Sequence, residues 1–283
     1  VESIKDIYIV GSKNKLKQTL NEAAVDSHYP KIIHLVEQQA NLYDNIFCTF
    51  LKTIPGGEDS PVTDLEISPS KNKAVLIVPC DAPLITPHEV EYFISHCETE
   101  RYDHVLGLTA EDDLEYFYSR ADRPGIKMAY LHLQNKKYRI NNLHLVKPLR
   151  IGNRQYIQKM YQYRYQRNIK NMFLFGLSLI GKDHPINLRF YFGLQLALLF
   201  SKSGLQFLVD QFRTWTPKAD LESCISHLLK TRFVGLETPY PGAALDIDND
   251  RDYEAMSSRF TEWRDYLARL GPSRPSFRSE SLV

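Results

Sequence analysis

Two groups of carboxylates are the residues of this chain best suited to chemistry. The first is Asp81, in the run Val78-Pro-Cys-Asp-Ala-Pro-Leu-Ile-Thr-Pro87. The second comprises Asp246, Asp248, Asp250 and Asp252, in Leu245-Asp-Ile-Asp-Asn-Asp-Arg-Asp-Tyr253. Two carboxylates about 4 Å apart repel by roughly 4 kcal/mol at an effective dielectric of about 20. Asp81 facing Asp246 or Asp248 therefore calls for a cation between them. An oxygen-only donor set suits Mg²⁺ in the company of phosphates. Transfer at phosphorus follows as the implied chemistry; it rests on positioning and charge neutralisation and needs no protein nucleophile.

Local sequence indicates how each group is held. Ala74-Val-Leu-Ile-Val78 is short and β-branched, the pattern of a buried strand. After Asp81 comes a helix start, with Thr86 as N-cap, Pro87 at the first helical position and Glu89 completing a capping box. Asp81 is thus expected just past the carboxyl end of a strand, where open α/β sheets bind ligands. An extended Leu245 to Asp248 would put Asp246 and Asp248 on one side and Ile247 on the other. Asp250 is placed to cap the final helix and Asp252 to favour its positive end, so the run also reads as a helix start rich in carboxylates.

The surrounding elements alternate. Strands are expected at Asp6 to Gly11, Lys31 to Val36 and Ala74 to Val78, with helices at Asn14 to Ala24, Asn41 to Leu51 and Pro87 to Cys97. Such alternation predicts βαβ crossovers and an α/β fold of three layers around a mainly parallel, mixed sheet. From Tyr102 the pattern turns β-rich: a strand at Asp103 to Thr109, then a hairpin of Met128 to Leu133 and Tyr138 to Val146 about the turn Gln134-Asn-Lys-Lys137. Residues 152–230 are helical in pattern; a strand at Arg232 to Glu237 and a helix at about Arg251 to Leu270 follow. The resulting organisation is a core over 1–148, a helical insertion over 149–231, a strand and helix completing the core over 232–270, and a flexible tail over 271–283.

Composition narrows the classes. The 283 residues are 43% hydrophobic and 24% charged, with a net charge of +1, so no global field argues for nucleic acid. No apolar run approaches the roughly 18 residues of a membrane span. Cys48, Cys80, Cys97 and Cys224 lack metal-type spacing and read as reduced core thiols of a cytoplasmic protein, Cys80 as a small strand-end residue rather than a nucleophile.

Val78-Pro-Cys-Asp-Ala-Pro-Leu84 and Leu245-Asp-Ile-Asp-Asn-Asp-Arg-Asp-Tyr253 together resemble the MobA-like nucleotidyltransferases of the GT-A fold. The resemblance spans about residues 1–148 and 232–265. It implies a Mg²⁺-dependent enzyme that joins a nucleoside monophosphate from an NTP to a phosphorylated or hydroxyl acceptor and releases pyrophosphate. It implies metal ligation by Asp81 with Asp246 or Asp248, and nucleotide contacts from Asp81, Pro83, Gln38 and Asn41, the last two in a stretch like the family's base-recognition loop. Asn141 and Asn142 correspond to the part of the sheet that approaches the acceptor; their other reading is backbone satisfaction at a bulge. The family's glycine-rich triphosphate loop has no counterpart. Asp6 to Gly11 matches the family's second strand, so the first strand and its loop are expected upstream of Val1. Two alternatives remain: a GT-A glycosyltransferase using a nucleotide sugar, and a non-catalytic nucleotide- or lipid-binding protein.

Several features fall outside that resemblance. His132 and His144 share the hairpin and are expected to face each other. Lys147 to Lys170 carries seven Lys and Arg residues with interleaved Tyr and no acid, a solvated helix face with Tyr packed beneath it or a nucleic-acid or phosphate surface. Met172 to Ile180 and Phe190 to Phe200 are apolar enough to form a helical hairpin serving as a buried subdomain, a homodimer interface or a peripheral membrane contact.

Overall fold

The computed structural model describes residues 1–23, 31–157 and 188–271. Within them the elements run β1 (Asp6–Gly11), α1 (Lys13–Glu22), β2 (Ile32–Glu37), α2 (Leu42–Lys52), α3 (Val62–Ile67), β3 (Val75–Ile77), α4 (Pro87–His96) and β4 (His104–Ala110). They continue with β5 (Leu131–His132), β6 (Lys137–Val146), α5 (Leu188–Lys202), α6 (Gln206–Arg213), α7 (Lys218–Leu229), β7 (Phe233–Glu237) and α8 (Asp250–Arg269). The alternation of strand and helix from β1 to α4 is as expected. The apolar stretch Met172 to Ile180, most of the basic run and the tail beyond Gly271 lie outside the described residues.

The strands form two sheets. β1 and β2 pair in parallel, Ile7 opposite Ile33 and Val10 opposite Val36. The larger sheet has the order β3-β6-β4-β7, with β5 added to β6 as the expected hairpin. This corrects the expectation of one mainly parallel sheet. β6 runs antiparallel to both β3 and β4, and only β4 with β7 is a parallel pair in the larger sheet. Insertion of β6 places the residues after Ile77 beside the middle of that strand, because Ile77 lies opposite His144 and the strands run in opposite directions.

Helices cover both faces of the larger sheet. On one, Val90 and Phe93 of α4 pack with Val105, Leu143 and Ala243. On the other, Leu221 and Ile225 of α7 pack with Leu106, Leu108 and Phe233. α8 closes the fold by burying Met256, Trp263 and Leu267 against Leu114, Phe117 and Ile126. At roughly 1.5–3 kcal/mol for each large apolar side chain fully buried, these clusters carry most of the driving force. α5 folds back on α6, with Phe200 stacked on Phe212 at 5.5 Å and Gly193 against Trp215. Among the described residues no helix is long and apolar enough to cross a membrane.

Smaller expectations need correction. His144 meets His104, Nδ1 to Nε2 at 3.2 Å, whereas His132 lies opposite Lys137 at the far end of the hairpin. Cys80 is exposed rather than in the core, because β3 ends at Ile77 and leaves it in the following loop. Asn249, not Asp250, caps α8, its Oδ1 accepting from the Arg251 and Asp252 N–H groups.

One irregularity in β6 bears on the site. Its register against β4 shifts between Leu106 and Leu108, and Asn142 adopts φ 61°. The break is filled by Asn141, fully buried, whose Nδ2 donates to Thr238 Oγ1 at 2.7 Å and whose Oδ1 accepts from the Leu143 N–H at 3.3 Å. Gly107 makes room: a Cβ there would lie 1.8 Å from Asn141 Oδ1. Gly107→Ala is expected to cost about 1–3 kcal/mol by overpacking. Asn141→Leu should lose a similar amount, about 1–3 kcal/mol, by stranding two buried polar groups. Urea unfolding tests both, and wild-type midpoints would mean that this amide does not hold the bulge.

Candidate functional site

The site grows from the loop between β3 and α4. Ala82 and Leu84 point into the core and hold that loop down, while Asp81 and Pro83 are exposed. Thr86 caps α4 as the sequence predicts, its Oγ1 accepting from the Glu89 N–H at 3.2 Å. The Glu89 side chain has a further role. It is fully buried and takes the Ala243 N–H on both carboxyl oxygens at 3.0 Å. Ala243 lies in the turn Gly242–Ala244 that leads into the second acidic run. Gly242 is pressed so close that a Cβ would lie 2.3 Å from the Leu84 carbonyl oxygen.

This clasp brings the two acidic runs together. Ile247 donates its N–H to the Asp81 carbonyl at 3.0 Å, so Asp246 and Asp248 flank the residue bonded to Asp81. The two aspartates meet different surroundings. Asp246 is 9% exposed and its Oδ1 accepts from Arg139 Nη2 of β6 at 2.5 Å. Asp248 is exposed, and its N–H donates to Asp252 Oδ2 at 3.3 Å. Asp252 is buried and also accepts from Asn249 Nδ2 at 2.6 Å, so its carboxylate serves the helix cap. Among the described residues, no group of three or more His, Cys, Asp or Glu side chains converges to hold a metal ion.

The other expected site residues divide between the two sheets. Gln38 is exposed just past β2, its N–H donating to the Gly11 carbonyl at 3.1 Å. Asn41 caps α2, accepting from the Asp44 N–H at 3.0 Å and donating to Asp44 Oδ2 at 2.7 Å. Asn142 borders the acidic runs, its Nδ2 donating to the Ala243 carbonyl at 3.4 Å, whereas the Asn141 amide is taken up within the protein. Sequence reasoning missed Arg139 and the second role of Glu89. A lone charge in the alternating strand Tyr138-Arg-Ile-Asn was the available signal for Arg139.

No family model and no curated protein matches this chain. Among solved structures, a hypothetical transferase from Thermus thermophilus is similar over 88% of this chain and 99% of its own, with a TM-score of 0.51 and 16% identity. The likeness is one of fold.

Burial pushes the Glu89 carboxyl up from its ordinary value of 4.5 to about 8, against the opposing pull of the Ala243 and Thr86 N–H groups. Folding therefore takes up a proton at neutral pH. The native carboxyl titrates near 8 and the unfolded one near 4.5, so its contribution is complete below the lower value and is lost as pH rises through the upper. The steepest slope is about 1.4 kcal/mol per pH unit. Burial lowers His104 to about 3 and His144 to about 4, so those groups act on stability only below about 6.5. Between pH 6.5 and 8.5 the wild type should lose stability relative to Glu89→Gln, read by urea unfolding across the range. Parallel profiles would clear the carboxyl of this role.

Proposed function

We propose that this protein is a nucleotidyltransferase acting on an NTP and an acceptor, with Asp81 and Asp248 as its metal-binding pair. The observation that supports it most is the hydrogen bond from the Ile247 N–H to the Asp81 carbonyl, which joins the two acidic runs just past β3. Carboxylate oxygens fit Mg²⁺, which binds through one or two such groups and completes its shell with water and phosphate. Two protein carboxylates suffice in that arrangement, in keeping with the absence of a larger cluster among the described residues. Asp248 takes precedence over Asp246, whose carboxylate is already committed to Arg139. Mg²⁺ held there would neutralise charge on the α- and β-phosphates.

The chain's own part is placement. Gln38 and Asn41, at the end of β2 and the start of α2, are the candidates for contact with the base, and Pro83 stiffens the loop beside Asp81. An acceptor oxygen attacks the α-phosphorus, a new P–O bond forms, the bond to the β-phosphate bridging oxygen breaks, and pyrophosphate leaves with that electron pair. A hydroxyl acceptor would also lose its proton; a phosphate acceptor would not need to.

Thermal unfolding with each NTP, with and without Mg²⁺, tests this reading. Ligand at about a hundred times its dissociation constant adds about 2.7 kcal/mol, which at this size raises the midpoint by roughly 5–10 °C. One NTP should give that shift in a Mg²⁺-dependent way, and Asp81→Ala and Asp248→Asn should each remove it. Folded protein that ignores every NTP, or that responds instead to nucleotide sugars, would sink the proposal.

A further inference from the structure

The packing of α7 on the larger sheet is incomplete at one point. Residues 218, 221, 222 and 225 lie at i, i+3, i+4 and i+7, the spacing of a single helix face. Leu221 and Ile225 pack against Leu106, Leu108 and Phe233, but the other two positions hold Lys218 and Glu222. Those side chains turn their charged ends to polar partners. Lys218 Nζ lies 3.4 Å from Glu222 Oε1, which also accepts from the Gly235 N–H at 2.9 Å. Their stems stand where core side chains would, and they leave the space part-filled. β7 cannot fill the rest, because a Cβ on Gly235 would lie 2.7 Å from Leu108 Cδ1. A cavity of about 150 Å³ remains between helix and sheet. Its lining presents apolar atoms alone, the stems of Lys218 and Glu222 included. Leu131 of β5 and Ile140 of β6 border it, and Ile140 is 39% exposed, so the cavity opens toward solvent on that side.

The lining selects the occupant. Water held in a cavity needs several polar partners, and this one offers none. A charged or hydrogen-bonding group would lose its hydration with no partner to replace it. An apolar group instead removes its own surface and that of the cavity from water, and it makes the dispersion contacts that a void forgoes. Apolar cavities of this volume take up a benzene-sized molecule. We propose that the cavity between α7 and the larger sheet binds an apolar group of about six carbon atoms, an aromatic ring or a branched alkyl chain, that enters past Ile140. The cavity lies on the face of the sheet away from α4, so this site stands apart from the nucleotidyl-transfer reading.

Benzene is the probe, and phenol, the same ring with one hydroxyl, is the comparison. Calorimetric titration of the full chain should show benzene binding. Benzene at about ten times its dissociation constant should raise the thermal midpoint by roughly 2–5 °C. Phenol at the same concentration should shift it far less, because its hydroxyl finds no partner in the cavity. Leu221→Phe fills the cavity from α7 and should abolish the benzene shift. Ile140→Phe fills it from the exposed side, and it serves if the first variant fails to fold. Loss of the shift in either folded variant supports the site. No benzene shift in folded wild type, or an undiminished shift in every variant that folds, would overturn the proposal. A phenol shift as large as that of benzene would overturn the assignment to apolar groups.

Discussion

The Glu89 carboxyl, buried in the core and closed on the Ala243 N–H, is the constraint on which the candidate site depends. A carboxyl group removed from water is costly unless it is hydrogen-bonded, and burial drives it toward its protonated form. The carboxyl belongs to α4, the helix that starts just after Asp81, and the N–H it receives belongs to Ala243, which precedes the second acidic run. A single side chain thus fixes two loops from distant parts of the sequence against each other. Gly242 is the counterpart on the other side, since any side chain there would collide with the Leu84 carbonyl and with Glu89 itself.

β6 supplies the second half of the arrangement. Running antiparallel between β3 and β4, it carries Arg139 toward Asp246 and lets Asn142 meet the Ala243 carbonyl. The break at Asn141 leaves the alternation of faces intact, so Leu143 packs beneath α4 while Ile140, an odd number of residues away, lies on the α7 side of the sheet. Such a break would expose unpaired backbone in a buried sheet without a side chain to bond it. Asn141 does so for the Leu143 N–H.

Local signals were legible and global ones were not. β1 was readable from Asp6 to Gly11, and Thr86 as a cap followed from a hydrogen-bonding group placed next to an apolar run. Strand order was not, because nothing in Lys137 to Val146 says that it will enter between β3 and β4. The capping box identified the nearby partner of Glu89 but not Ala243, which is remote in sequence. Asp246 and Asp248 look equivalent by alternation; only the arrival of Arg139 from another strand distinguishes them. Pairing of His144 with His104 rather than His132 likewise depends on which strand lies alongside β6.

The bond between Ile247 and Asp81 also bears on how the protein comes into being. Asp81 leaves the ribosome long before Ile247, and β7, the parallel partner of β4, lies between them in the chain. Pairings of such long sequence separation form late, since the intervening loop must close before they yield any stabilisation. A nascent chain therefore carries Asp81 without its counterpart until β7 and the acidic run that follows it have been made. Assembly of the two acidic runs is in that sense a report that β7 has been made and seated beside β4.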